Sequence, residues 1–107
     1  MTEIFLNKNN TLEFSLLLEG TDSPLTDARL TFTGVKPYIS FPAQVNNGKL
    51  SFNLSNMKKY FEPGLQEAKL EVMVDNNYFV TYTGVFDMKM PMEILLTDPW
   101  ISTHISI

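Results

Sequence analysis

Apolar and polar residues alternate with a period of two along most of this chain, and this feature limits its fold more than any other. Residues 11–19 read TLEFSLLLE, residues 28–33 read ARLTFT and residues 49–54 read KLSFNL. Successive side chains of a β-strand point to opposite faces of a sheet, so each run gives one apolar and one polar face. A helix would need apolar residues three and four positions apart. The chain is therefore predicted to be all-β.

Clusters of turn residues separate these runs. Residues 20–27 read GTDSPLTD and residues 46–48 read NNG, and Asn and Gly adopt the positive φ angles that tight turns need. The segment 55–61, SNMKKYF, suits only a short helical turn. Seven or eight strands at roughly 10-residue spacing are typical of two packed sheets. We therefore predict an antiparallel β-sandwich of seven or eight strands with one short helical turn.

Prolines divide the chain further, because proline cannot donate a hydrogen bond to a β-ladder. Pro37 and Pro42 bracket the strand-like segment YISFPA, which is predicted to be an edge strand or an extended connection. Pro91 and Pro99 lie on either side of MEILLTD, so bends separate the last residues from the rest. We assign residues 1–90 to one sandwich domain. Residues 91–107 form a tail that either belongs to the same domain or is donated to a neighbour.

Composition and motifs argue against a catalytic or ligand-binding site. The 107 residues carry a net charge of −4, and the eight basic residues are scattered, so no nucleic-acid groove is expected. The chain has no cysteine, and His104 is its only histidine, which leaves few metal ligands or catalytic bases. No bilayer-spanning run and no signal segment are visible. We expect a non-enzymatic protein made in the cytoplasm, without a cofactor, a bound metal, or a nucleic-acid or membrane partner.

Residues 68–87, AKLEVMVDNNYFVTYTGVFD, predict a β-hairpin whose second face is unusual. With Asn76 and Asn77 as loop residues, Val74 lies opposite Phe79. The predicted core face then consists of Ala68, Leu70, Val72, Val74, Phe79, Thr81, Thr83 and Val85. The opposite face carries Met73, Tyr78, Val80, Tyr82 and Phe86, although a solvated face is usually rich in charge.

Three explanations for this second face remain open. Cross-strand aromatic pairs stabilise a sheet by themselves, and the stems of long charged side chains can cover the rings. The C-terminal tail could fold over the face. Alternatively the face is a docking surface, because aromatic residues and methionine are enriched at the centres of interfaces. The candidate interface residues of the hairpin are Met73, Tyr78, Val80, Tyr82 and Phe86.

The tail contains a candidate strand of its own. Residues 101–107, ISTHISI, alternate apolar and polar side chains, which predicts a half-buried strand. This strand could close the sandwich of its own domain, or it could add to the sheet of a neighbouring subunit. In either arrangement Trp100 would be an anchor. The candidate interface residues of the tail are Trp100, Ile101, Ile105 and Ile107.

A resemblance extends over roughly residues 10–90. The succession NTLEFSLLLEGTDSPLTDARLTF, NNGKLSFNL and FEPGLQEAKLEVMVDNNYFVTYTGVFDMK resembles small immunoglobulin-like β-sandwich modules of tailed-bacteriophage virion proteins. The hairpin AKLEVMVDNNYF is similar to that of small head-associated structural proteins of such phages.

The resemblance implies an immunoglobulin-like fold and a place in the virion. It implies a capsid-associated decoration or cementing protein whose partners are capsid or other virion subunits, with homo-oligomers also possible. The alternative it implies is a module of a phage tail, baseplate or fibre that serves oligomerisation or adhesion to the host surface.

Overall fold

A computed structural model describes residues 1–20, 25–91, 93–97 and 102–106, the last two ranges by their backbone alone. These residues form ten strands and one 3₁₀ turn, so the chain is all-β, as predicted. In chain order the elements are β1 (Thr2–Phe5), β2 (Asn10–Ser15), β3 (Asp27–Phe32), β4 (Ile39–Pro42), β5 (Gln44–Asn46), β6 (Lys49–Leu54), the 3₁₀ turn (Met57–Lys59), β7 (Gly64–Val74), β8 (Asn77–Lys89), β9 (Glu93–Thr97) and β10 (Ser102–Ser106).

Eight of the strands form the two sheets of a β-sandwich. One sheet has five strands in the order β1-β8-β7-β3-β4, and the other has three in the order β2-β6-β5. Neighbouring strands in both sheets are antiparallel except β1, which lies parallel to β8 and pairs Thr2 with Phe86. The predicted sandwich is confirmed, with this one departure from an antiparallel arrangement.

The core lies between the inner faces of the two sheets. The alternation in β3 and β6 predicted which side chains point inward, and all of them are buried: Ala28, Leu30, Phe32, Leu50, Phe52 and Leu54. The ring of Phe32 lies 4.8 Å from that of Phe61 and 5.9 Å from that of Phe86. Burial of one such side chain stabilises the fold by about 1.5–3 kcal/mol.

The predicted helical turn closes one end of the sandwich. The side chain of Met57 is fully buried. The backbone N–H of Lys58 donates to the carbonyl of Leu6 at 3.2 Å, which ties the turn to the chain that follows β1. Strand β4 stands at the edge of the five-stranded sheet, as its flanking prolines predict.

The tail forms a separate hairpin. Strands β9 and β10 pair antiparallel, from Ser102 opposite Thr97 to Ser106 opposite Glu93, and neither pairs with another described strand. Strand β10 falls within the predicted strand at 101–107, and the backbone of Ile105 lies opposite that of Ile94. The candidate interface residues Trp100, Ile101 and Ile107 lie outside the described residues.

Candidate functional site

The hairpin of β7 and β8 turns one residue earlier than the sequence suggests. Asp75 and Asn76 have φ angles of 51° and 62°, and two successive positive φ angles are typical of a type I′ turn. Val74 therefore lies opposite Asn77 and not opposite Phe79. This shift of two positions leaves the face assignment near the turn unchanged, because side chains alternate with a period of two.

A β-bulge then reverses the faces along the rest of β8. Glu71 lies opposite Val80 but Leu70 lies opposite Tyr82, so Thr81 is an extra residue in β8. The Thr81 hydroxyl donates to the Leu70 carbonyl at 3.3 Å. Beyond the bulge the core side of β8 consists of Tyr82, Gly84, Phe86 and Met88, and the outer side consists of Thr83, Val85, Asp87 and Lys89.

The bulge corrects the prediction for two candidate interface residues. Phe86 was expected on the outer face, but it is 2% exposed and packs in the core. The ring of Tyr82 also lies on the core side, 5.7 Å from that of Phe14 in the other sheet, and it covers Gly84 so closely that a Cβ there would collide with it. Conversely, Thr83 and Val85 were predicted on the core face and are exposed on the outer one.

Tyr78 lies on the outer face, as predicted, and its ring is covered by its own sheet. The guanidinium carbon of Arg29 lies 3.9 Å from the centre of the ring. The Tyr78 hydroxyl donates to the Asp27 carboxylate at 3.0 Å, and this hydrogen bond raises the pKa of Tyr78. Met73, opposite Tyr78, is half-buried. Of the three explanations for this face, local covering accounts for Tyr78.

The centre of the outer face is a closed polar network around Glu71, which is 7% exposed. Arg29 donates from Nε to Oε1 at 3.0 Å and from Nη2 to Oε2 at 3.3 Å. Thr31 donates its hydroxyl to Oε1 at 2.9 Å, and Lys69 Nζ lies 3.9 Å from Oε2. The hydrogen bonds from Arg29 lower the pKa of Glu71. With its oxygens occupied in this way, Glu71 links β7 to Arg29 and Thr31 of β3.

The edge of β8 that faces away from β7 is only partly paired among the described strands. Strand β1 pairs only with Phe86–Lys89, and no described strand pairs with this edge from Asn77 to Val85. We call Asn77–Val85 the free edge. Its sequence, NYFVTYTGV, has no charge and no proline and is rich in strand-forming residues. An edge of this kind is a template for a further strand.

The other edges of the two sheets are blocked in ways that the free edge is not. Strand β1 has four residues and carries Glu3, and β2 has six residues and carries Glu13. Strand β4 has four residues and ends in Pro42, and β5 has only three residues. Short length, charge and proline all discourage strand addition. The free edge of β8 therefore differs from every other described edge of the sandwich.

Exposed apolar side chains lie along the free edge on both sides of the sheet. Phe79 and Tyr82 on the core side are 51% and 45% exposed, because the smaller sheet leaves this end of the hairpin largely uncovered. Val80 on the outer side is 56% exposed. An open groove lined in part by Leu18 and Val74 continues from Phe79 on the core side. The sequence prediction included Val80 and Tyr82 and missed Phe79, although the absence of charge from Asn77 to Val85 was visible.

Other site types find little support in the described part of the chain. No three His, Asp or Glu side chains described here lie close enough together to hold a metal ion. No helix among these residues has the length and apolarity that a membrane span requires. Comparison with protein-family models, with curated proteins and with solved structures gives no match.

Proposed function

We propose that this chain is a non-enzymatic structural protein that joins a larger assembly by strand addition at the free edge of β8. The observation that carries the proposal is the uncharged edge from Asn77 to Val85, which no described strand pairs with and which lies beside strands whose own edges are short or blocked. In strand addition the backbone ladder supplies affinity, and pockets for alternate side chains supply specificity. Phe79, Val80 and Tyr82 are the side chains that a partner would cover.

We propose further that the assembly is a bacteriophage virion, in which the chain decorates or cements the capsid. The resemblance of residues 10–90 to immunoglobulin-like virion modules supports this setting. A cementing protein needs a surface that pairs with its neighbours, and the free edge supplies one. The partners are then capsid or other virion subunits, and the protein reaches the virion after synthesis in the host cytoplasm.

The virion setting is tested by locating the chain in purified particles. An antibody raised against the purified chain is applied to gradient-purified phage particles from cultures that carry the gene, followed by gold labelling and electron microscopy. We expect label on the heads. Label on tails or baseplates would replace capsid decoration by the tail-module alternative, and particles without label would overturn the virion proposal.

The role of the free edge is tested with a matched pair of lysine substitutions. Val80 at the free edge and Leu65 on β7 are both exposed on the outer face of the same sheet. We expect Val80→Lys to abolish attachment of the purified chain to particles grown without it, because an added charge at a strand edge discourages pairing. Leu65→Lys should attach like wild type. Equal attachment by both variants would remove the free edge from the proposal.

A further inference from the structure

We infer that the free edge of β8 pairs with the same edge of a second copy, antiparallel and about a twofold axis. This inference rests on the proposed function, because it specifies that the virion subunit added at the free edge is a second copy of this chain, so that the chain would attach to particles as a pair. Twofold dimers are the commonest closed assemblies of identical chains, and they require a self-complementary surface. The free edge meets this requirement in charge, in side-chain pairing and in space.

Charge favours a second copy at this edge. No residue from Asn77 to Val85 is charged, so twofold pairing places no like charges opposite each other. The same pairing at the edges of β1 or β2 would place both copies of Glu3 or of Glu13 close to the twofold axis, because these strands have only four and six residues. The net charge of −4 on each copy is thus kept away from the contact line.

The bulge at Thr81 makes the edge self-complementary. Opposed residues of an antiparallel pair share a face of the sheet. Phe79 and Tyr82 lie on the core side, whereas Tyr78 and Thr83 lie on the outer side. An axis between Val80 and Thr81 places Phe79 opposite Tyr82 and also Tyr78 opposite Thr83. The two residues of each pair then lie on the same face of the sheet. They do so because the bulge adds one residue between Phe79 and Tyr82 and so shifts the alternation of side chains by one position.

The position of β1 selects this register from its neighbours. Pairing about this axis runs from Asn77 to Gly84 and stops before Phe86, where β1 begins to pair. The next face-matched register toward β1 would place Asn77 opposite Phe86, at the position that Thr2 already occupies. The corresponding shift away from β1 would place Phe79 opposite Val80, on different faces. A register about an axis through Phe79 also matches in face but pairs fewer residues, so the proposed register gives the longest face-matched ladder that stays clear of β1.

The register also covers the exposed rings. Phe79 and Tyr82 are each about half exposed in the single chain. In the pair, each Phe79 lies beside the Tyr82 of the other copy, and the twofold axis gives two such aromatic pairs. Tyr82 already contacts Phe14, so the four rings extend the core across the contact.

Disulfide trapping tests the register directly, because the natural chain has no cysteine. The two Val80 Cα atoms lie diagonally across the proposed axis. The usual strand spacing and rise per residue place them about 6 Å apart. This distance is within the range that a disulfide bridges. We expect Val80→Cys to oxidise to a covalent dimer and Leu65→Cys, the matched exposed position on β7, to stay monomeric. The reverse result would overturn the inference.

A charge-swap experiment tests the symmetry. Val80→Lys and Val80→Glu are prepared separately in the full chain, and their masses are measured by sedimentation equilibrium. Each variant alone should have a dimer dissociation constant more than about ten times that of wild type, because like charges meet at the axis. Their mixture should regain the dimer, since opposite charges then meet. Val80→Thr is the neutral control and should dimerise like wild type. Circular dichroism confirms that each variant is folded.

The outcomes separate this inference from the proposed function. A wild-type chain that stays monomeric, or a dimer that Val80→Lys leaves unchanged, would overturn twofold pairing at this edge. If Val80→Lys nevertheless fails to attach to particles, the free edge still serves the proposed function with a different partner. If Val80→Lys and Val80→Glu dimerise when mixed and no variant affects attachment to particles, the twofold dimer is supported. The free edge then has no part in attachment, and the proposed function at this edge is wrong.

Discussion

Glu71 shows how a charged residue is kept in the middle of a sheet face. Its carboxylate accepts hydrogen bonds from Arg29 and Thr31, and Arg29 in turn lies over the ring of Tyr78. A nearly buried charge is tolerated only when such partners replace its lost hydration. A polar network therefore occupies the centre of the outer face, and the exposed apolar side chains of Val80 and Leu65 lie at its margin.

We expect Glu71→Gln to lower the free energy of unfolding by about 2 kcal/mol at neutral pH, because the amide has no charge to pair with Arg29 and replaces one accepting oxygen by a donating NH₂ group. The pKa of Glu71 is lowered in the folded state by its hydrogen bonds from Arg29. Its contribution is thus present above the ordinary carboxyl pKa and is lost as the pH falls through the lowered folded-state value. Urea unfolding at neutral and strongly acidic pH should show the deficit of the variant shrinking in acid.

The matched control is Glu67→Gln, on the exposed outer side of the same strand. It should change stability by less than about 0.5 kcal/mol. A deficit for Glu71→Gln that is the same at both pH values would show that its charge does not stabilise the fold.

Phe86 and Val85 are neighbours in β8, and the bulged register places Phe86 in the core and Val85 on the surface. Phe86→Ala should lower the free energy of unfolding by about 3 kcal/mol or more, because it empties a buried site beside Phe32. Val85→Ala, on the outer side, should cost less than about 1 kcal/mol. Urea unfolding measures both. A larger loss for Val85→Ala would mean that β8 has the unbulged register.

The alternation of apolar and polar residues was sufficient to identify the inner faces of β3 and β6, but it failed to identify that of β8. In β3 and β6 one face is apolar and the other polar, so the pattern itself identifies the inner face. In β8 both faces carry apolar residues, and the extra residue Thr81 is defined only by its pairing with β7. The network of Arg29 and Glu71 was equally hidden, because it joins strands that are distant in sequence. The position of the bulge and the partners in the network both depend on which strands pair, and a single sequence does not show that pairing.

The turn between β7 and β8 gives a test of the observed register. Asn76→Ala should lower the free energy of unfolding by about 1 kcal/mol, because alanine disfavours the left-handed conformation that Asn76 adopts. Asn76→Gly should retain full stability. Asn77→Ala is the control, since Asn77 already belongs to β8. Thermal or urea unfolding compares the three, and a greater loss at Asn77 would restore the turn that the sequence suggested.

The molecule has an elongated outline. The radius of gyration is 17.8 Å, whereas a compact domain of this length has one of about 13 Å. The principal extents are 66 × 29 × 20 Å. Strands β9 and β10 pair with each other and with no other described strand, so they add length without extending either sheet of the sandwich.

A chain ended after Lys89 should therefore keep the sandwich. In the Val80→Lys background, which we expect to be monomeric, its free energy of unfolding should match that of the longer chain within about 0.5 kcal/mol. Small-angle scattering should give a radius of gyration of about 12 Å, the value for a compact domain of that length. An unfolded product would instead make the tail a closing part of its own domain.

The parallel pairing of β1 with β8 delays the placement of β1 until most of the sandwich has been synthesised. Strand β1 leaves the ribosome before the other described strands, but its ladder partner is Phe86–Lys89 in the last strand of the sandwich. Such distant contacts form slowly, because a long loop must close before they are made. Ile4, which is fully buried in the finished fold, has no sheet to pair with until then. A nascent chain that has not yet emerged to Lys89 thus has an incomplete sheet, and the first strand to be made is among the last to be placed.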